Sequence, residues 1–249
     1  MNDVDNDRFL RDIEHEGFTV HHDVFDNNKI AELNEYAMTL GPERGHDINQ
    51  KWHGWNSVEL LNDPLNEVDW AYYWTPRAEH SYIESIKTSL EPSVNGIFGE
   101  HNWVWHVQDF IVLQPGMNFV RPHIDTPYRF KEWRYNEKLL GLQFMVMMCD
   151  FNEWNGATGY VPGSHKYMYD GNHMRDHQES WKIFFSDNCK QFTANAGSMV
   201  AWHPRLIHST MPNKTKQVRR ALLLHAAEKT TARRLDVVDP QLNYTLRKT

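Results

Sequence analysis

The chain has 249 residues, 40% hydrophobic and 24% charged, with a formal net charge of −7. This is an ordinary soluble globular balance, and it excludes a nucleic-acid-binding module, which would need a clustered basic face. Two cysteines, Cys149 and Cys189, give no disulfide framework, so a reducing, cytoplasmic location is expected. The acidic start, MNDVDNDRFLRDIEHEG, lacks signal-peptide character, and no run approaches the roughly 20 apolar residues that cross a bilayer. Aromatics reach 13%, with ten Trp, which favours a large sheet-lined core or an aromatic-walled pocket over a helical bundle.

In chain order, residues 7–16 read as a short helix and GFTVHHDVF (17–25) as a strand. Asp26 is an N-cap candidate for a helix carrying Ile30, Leu33, Ala37 and Leu40 at helical spacing, which Gly41-Pro42 ends. Residues 43–77 are polar and aromatic-rich without a period, a functional loop or lid, or irregular packing over an open edge. A further helix is expected over 78–97. From residue 103 the period becomes two: WVWHVQDFIVLQ, LLGLQFMVMMCDF, GSMVAWHP and VRRALLLHAA read as strands, with turn signals at Pro115-Gly116, Asn155-Gly156, Pro162-Gly163 and Gly197-Ser198. Helices followed by a run of strands indicate α+β, mainly β, an antiparallel sandwich or barrel with helices on one side. Residues 228–249 show no clear period. One domain over 1–249 is expected, with a helical and irregular part (1–100), a β core (103–226) and a C-terminal tail (227–249).

Most of the fifteen histidines need no functional explanation. His123-Ile124-Asp125 does, because residues i and i+2 of an extended segment share a side and bring an imidazole and a carboxylate to one point. This mixed N/O set suits iron with open coordination positions. For a third ligand His203 and His208 compete. His208 has the better surroundings: it follows a strand and a Pro204 break, and Arg219 lies eleven residues on. An arginine there can pair bidentately with the far carboxylate of a dicarboxylic cosubstrate. His203 reads as a wall residue. Arg219 and Arg220 must face opposite ways, and the spacing selects Arg219 as the inward one. Thr210, in phase with His208, reads either as a hydroxyl for the same carboxylate or as an ordinary strand threonine.

These residues resemble the phytanoyl-CoA dioxygenase-like family of Fe(II)/2-oxoglutarate-dependent oxygenases over roughly 105–226, with weaker similarity over 17–40. The elements that carry the resemblance are HID at 123–125, NGATGYVPGSHK at 155–166, LIHSTMPNKT at 206–215 and Arg219, with 85 residues from the first histidine to the second. Gly197-Ser198 stands where the family usually has Gly-Asp, and Met145 where relatives often have Trp, which leaves the pocket's shape open. The resemblance implies a double-stranded β-helix (jelly-roll) with the metal inside one end, ligated by His123, Asp125 and His208. It implies Fe(II), 2-oxoglutarate and O2 as cofactor and cosubstrates, with succinate and CO2 released. Gln114 and Gln143 match positions that bind the cosubstrate in relatives; the alternative is that they satisfy backbone groups. In related halogenases Gly or Ala replaces the carboxylate, so Asp125 points to hydroxylation, desaturation or ring closure.

The partner is expected to be a small organic metabolite, with no nucleic acid or membrane; the oligomeric state is not legible. Arg129, Gln108 and Trp202 are the candidate substrate contacts. Arg121, Arg129, Lys131 and Arg134 surround the metal motif, either as an anchor for an acidic substrate or as a solvated loop. Two rival readings stand beside the oxygenase. One is a non-catalytic jelly-roll metal-binding or sensing protein, which has no need of Arg219 with Thr210. The other is a cupin-type metalloenzyme not using 2-oxoglutarate, whose sites usually draw three histidines.

Overall fold

The computed structural model describes residues 6–40, 72–76, 80–116, 122–167 and 178–238. In chain order these form α1 (Asn6–His15), β1 (Phe18–His21), α2 (Asn27–Leu40), β2 (Tyr72–Pro76), α3 (Ser81–Phe98), β3 (Trp103–Leu113), β4 (Gly141–Met147), β5 (Thr158–Tyr160), α4 (Gln178–Asn188), β6 (Lys190–Gln191), β7 (Met199–Trp202), β8 (His208–Thr210), β9 (Arg219–Glu228) and α5 (Lys229–Val238). Among the described residues every strand pairing is antiparallel. A six-stranded sheet has the order β1-β7-β4-β9-β3-β2, and a three-stranded one the order β6-β5-β8. The protein is thus a mixed α/β fold with two antiparallel sheets.

The period of two decides what each sheet face does. In register, Phe110, Leu222, Leu224, Phe144, Val146 and Ala201 fall on one face of the large sheet. There they pack with Phe9 and Ile13 of α1, Ile30 and Leu33 of α2 and Ile83, Ile86 and Leu90 of α3. The alternate residues, Met145, Met147, Val200, Trp202 and Ala221, pack instead with Tyr160 of the small sheet and with Phe151 and Phe192. All seven residues of β4 are buried, as expected for a strand covered on both faces. Asp26 caps α2: its Oδ1 accepts from the N–H of Asn28 at 2.8 Å and of Lys29 at 3.1 Å.

Two expectations need correction. The strand read over 17–25 is shorter, since β1 ends at His21 and Asp23 turns the chain with φ 52°. The stretch from 228, read as aperiodic, begins with the end of β9 and then forms α5. Glu228 starts that helix by accepting the N–H groups of Thr230 at 3.0 Å and Thr231 at 2.7 Å, and Ala232, Leu235 and Asp236 are its buried stripe. The 43–77 segment lies outside the described residues except for β2, which pairs with β3. Among the described residues no helix is long and apolar enough to cross a membrane.

Candidate metal centre

His123 lies on an extended segment outside the named strands. One antiparallel bridge joins it to His208, each backbone N–H donating to the other's carbonyl at 3.0 Å. Directly opposed residues project to the same side, so two imidazoles distant in sequence meet with ring centroids 4.3 Å apart. Asp125, two residues on, is fixed by its N–H on the Pro204 carbonyl at 2.7 Å. Its Oδ1 lies 3.8 Å from His123 Nε2 and its Oδ2 3.4 Å from His208 Nε2. One ligand atom from each of the three side chains lies within 4.8 Å of the others. A small contraction would bring them around one ion at about 2.0–2.2 Å.

The surroundings prepare these donors. His208 Nδ1 lies 2.9 Å from the Leu206 carbonyl. A carbonyl only accepts, so Nδ1 carries the proton and Nε2 keeps its lone pair for a metal. The indole Nε1–H of Trp202 donates to Asp125 Oδ2 at 3.2 Å, and its ring packs 5.3 Å from that of His208. The donor set therefore fits a divalent metal on an observation of its own: one imidazole has its tautomer fixed, and the carboxylate is held from behind.

His203 stays outside this cluster. It is buried between Tyr128 and His165, with ring centroids at 5.4 and 5.6 Å, and its Nδ1 accepts the N–H of Arg205 at 3.0 Å. Burial, reinforced by the positive charges of His165 and Arg205, pulls its pKa down to about 3.

The other expected site residues divide. Arg219 is 1% exposed, whereas Arg220 is only partly covered. The Arg219 guanidinium lies 4.6 Å over the Phe151 ring, with Nε and Nη2 donating to the Gly156 carbonyl at 3.3 and 3.0 Å. The Asn155-Gly156 turn thus positions the arginine. Gly156 has φ +81°, and a Cβ there would meet Leu113 Cδ2 at 2.2 Å, so only glycine fits. Thr210 is buried on the same face of β8 as His208, opposite Thr158. Gln143 is buried on β4 directly across from Trp202. Gln114 lies one residue past the end of β3.

Gln108 is not brought to the site. It accepts from Lys87 Nζ of α3 at 3.2 Å, on the helix-covered face. Trp202 adjoins the site through Asp125, so the contact seen is to a candidate metal ligand. Arg129 follows the HID segment, its N–H on the Asp125 carbonyl at 3.2 Å and its guanidinium 4.8 Å over the Phe130 ring. Of its basic neighbours, Lys131 is exposed and Arg134 buried, while Arg121 lies outside the described residues. Sequence reasoning missed His225, which is fully buried; the available signal was its phase, even-numbered steps from Arg219 along VRRALLLHAA.

Two histidines and one carboxylate, set between facing antiparallel sheets, are the donor set of a mononuclear non-haem metal centre. The chain belongs to the phytanoyl-CoA dioxygenase (PhyH) family, whose pattern matches residues 13–221. It is 28% identical over 193 residues to dioxygenase cdmD of Talaromyces verruculosus, covering 76% of this chain and 58% of that one. It is 33% identical over 81 residues to dioxygenase FUM3 of Gibberella moniliformis, covering 32% of this chain and 23% of that one. The chain thus spans well under two thirds of the length of these relatives. In three dimensions it resembles HygX from Streptomyces hygroscopicus, solved with nickel and 2-oxoglutarate bound, with TM-score 0.66 at 13% identity over 89% of this chain and 87% of that one. It also resembles the non-haem α-ketoglutarate-dependent carbocyclase SnoK from nogalamycin biosynthesis, with TM-score 0.65 at 16% identity over 92% and 87%. These likenesses are of fold.

Proposed function

We propose that this chain is an Fe(II)/2-oxoglutarate-dependent dioxygenase that hydroxylates a small organic molecule and releases succinate and CO2. The observation that carries the reading is the convergence of His123, Asp125 and His208, with ligand atoms within 4.8 Å of one another, in a chain of the phytanoyl-CoA dioxygenase family. The facing antiparallel sheets support a double-stranded β-helix (jelly-roll) core over 103–226, within one domain to which the N-terminal helices and the C-terminal segment belong.

In this reading His123 and His208 offer Nε2 and Asp125 a carboxylate oxygen to the iron. A metal held by these three groups would keep coordination positions open for a 2-oxo acid and O2. The far carboxylate of 2-oxoglutarate would pair with Arg219, helped by the Thr210 hydroxyl, with Gln114 as a further cosubstrate contact. When bound, the metal and cosubstrates supply an oxidant that removes hydrogen from a substrate C–H bond. The chain's residues orient the reactants and exclude water: Trp202 holds Asp125, Leu206 fixes the His208 tautomer, and Phe151 with Gly156 aims Arg219. Arg129 stands at the substrate side. Asp125 occupies the position that a halide would need, which favours hydroxylation, desaturation or ring closure over halogenation. A metal-sensing protein would have no use for a buried, aimed Arg219. Substrate-stimulated succinate release from the Fe(II)-loaded protein tests the reading; metal binding without any 2-oxoglutarate binding would overturn it.

A further inference from the structure

One row of side chains crosses the inner face of the large sheet at the level of the candidate metal centre. Strand register places Trp202 of β7, Gln143 of β4 and His225 of β9 side by side, each about 4.8 Å from the next along the hydrogen-bonding direction. Trp202 already donates to Asp125, so the row leads from the metal ligands into the space between the sheets. Arg219 lies farther along β9, six residues before His225, and the cosubstrate side is therefore the other one.

The polar ends of this row are costly as they stand. His225 is 0% exposed and Gln143 5%. Among the described residues neither ring nitrogen of His225 has a hydrogen-bond partner, nor has Gln143 Oε1. A buried polar group left unmade destabilises the fold, and apolar residues would fill these two positions more cheaply. The local structure nevertheless accommodates the imidazole. Residue 141 on β4 is glycine, where a Cβ would meet His225 Nε2 at 2.5 Å. Behind His225 the His106 ring stands edge-on at 5.6 Å, itself held by Asp236 of α5 at 3.3 Å. Places where a sequence keeps a destabilising choice and builds room for it are characteristically binding sites.

We infer that His225 and Gln143 form the subsite that recognises the primary substrate, and that the group they take is an uncharged hydroxyl. Burial, reinforced by the charges of His106 and Arg129, holds the His225 pKa well below its ordinary value, so the ring is neutral near pH 7. A neutral imidazole offers one N–H and one lone pair, and Gln143 Oε1 only accepts. A hydroxyl satisfies both, accepting from His225 and donating to Gln143. A carboxylate has no proton to give to Gln143 Oε1. Leu223 and Ile111 share this face and suit an apolar frame beside that hydroxyl.

The inference rests on the oxygenase reading for the claim that substrate occupies this space, and its test is separable from that reading. Three probes of one frame, benzyl alcohol, benzyl methyl ether and benzoate, are titrated into the full-length protein by ligand-observed NMR. Wild-type protein should bind benzyl alcohol about tenfold more tightly than the other two, the worth of one hydrogen bond. His225→Leu should erase that preference while melting at the same or a higher temperature, and His225→Gln should keep part of it. Gly141→Ala displaces the imidazole and provides a second route if the leucine variant does not fold. No binding, equal binding of the three probes, tighter benzoate binding, or a preference that survives His225→Leu would each overturn the inference. A 2-oxoglutarate titration of the Fe(II)-loaded protein runs alongside. If it gives no charge-transfer band while the His225-dependent preference persists, the subsite stands and the oxygenase reading falls.

Discussion

Asp125 Oδ2 lies between two groups: Trp202 Nε1 donates to it at 3.2 Å, and His208 Nε2 stands 3.4 Å away. The indole thus fixes the carboxylate beside His208, whose ring it also packs against at 5.3 Å. Trp202→Phe keeps the packing and removes the donor. Loss of such an outer partner typically weakens metal binding about 10–100-fold. The expected result is that loss for Fe(II) or a Co(II) surrogate in competition titrations, with an unchanged circular dichroism spectrum. Unchanged metal affinity would show that the hydrogen bond positions nothing.

Arg219→Lys replaces a planar fork with a point charge and forfeits both contacts to the Gly156 carbonyl. The 2-oxoglutarate dissociation constant should rise by an amount corresponding to roughly 2–5 kcal/mol, while Fe(II) binding persists. Calorimetry of the anaerobic protein measures both. If Arg220→Lys weakens cosubstrate binding and Arg219→Lys does not, the inward-facing arginine is not the one that pairs with 2-oxoglutarate.

The pairing of His123 with Asp125 was legible because i and i+2 of an extended segment share a side, whereas His208 was chosen over His203 by its surroundings and its spacing to Arg219. Alternation made Arg219 and Arg220 face opposite ways, and the spacing from His208 selected Arg219 as the inward one. Gln108 falls on the helix-covered face because it is in phase with Phe110 and opposes Leu224, a partner on a distant strand that local spacing does not reveal. The small sheet was harder to read, since β5 and β8 have three residues each, too few to show a period. α5 was hidden because its stripe is short and its opening Thr230-Thr231 reads as strand. The Trp202–Asp125 contact joins residues far apart in sequence, and no local pattern announces it.

Acid should destabilise the protein through its buried histidines. His203 has a folded pKa of about 3 against about 6.5 in an unfolded chain. Between these values the unfolded state binds a proton that the folded state does not. Stability is therefore lost as pH falls from about 6.5 towards 3, by at most about 1.4 kcal/mol per pH unit for this site. His165 and His225, both shifted down mainly by burial, act in the same direction. Urea midpoints measured from pH 7 to pH 4 should decline, and His203→Phe should decline less steeply. Identical slopes would mean that His203 titrates normally in the folded state.

Asp125→Gly would remove one of the three proposed metal ligands while leaving both imidazoles. The expected outcome is weak iron retention and no product, because a halide site also needs room and donors of its own. The wild-type protein, once a substrate is found, should give only oxygenated, desaturated or cyclised products in high chloride or bromide. A reproducible halogenated product in the mass spectrum would show that Asp125 does not ligate the metal.

In the proposed site, His123, Asp125 and His208 hold an iron to which 2-oxoglutarate binds. An anaerobic titration of the Fe(II)-loaded protein with 2-oxoglutarate, followed by visible absorption, tests it most directly. A saturable charge-transfer band should develop with one equivalent of each, absent in His208→Ala and shifted to much higher 2-oxoglutarate concentration in Arg219→Lys. A wild-type protein that binds Fe(II) without developing the band, or a band that survives His208→Ala unchanged, would contradict it.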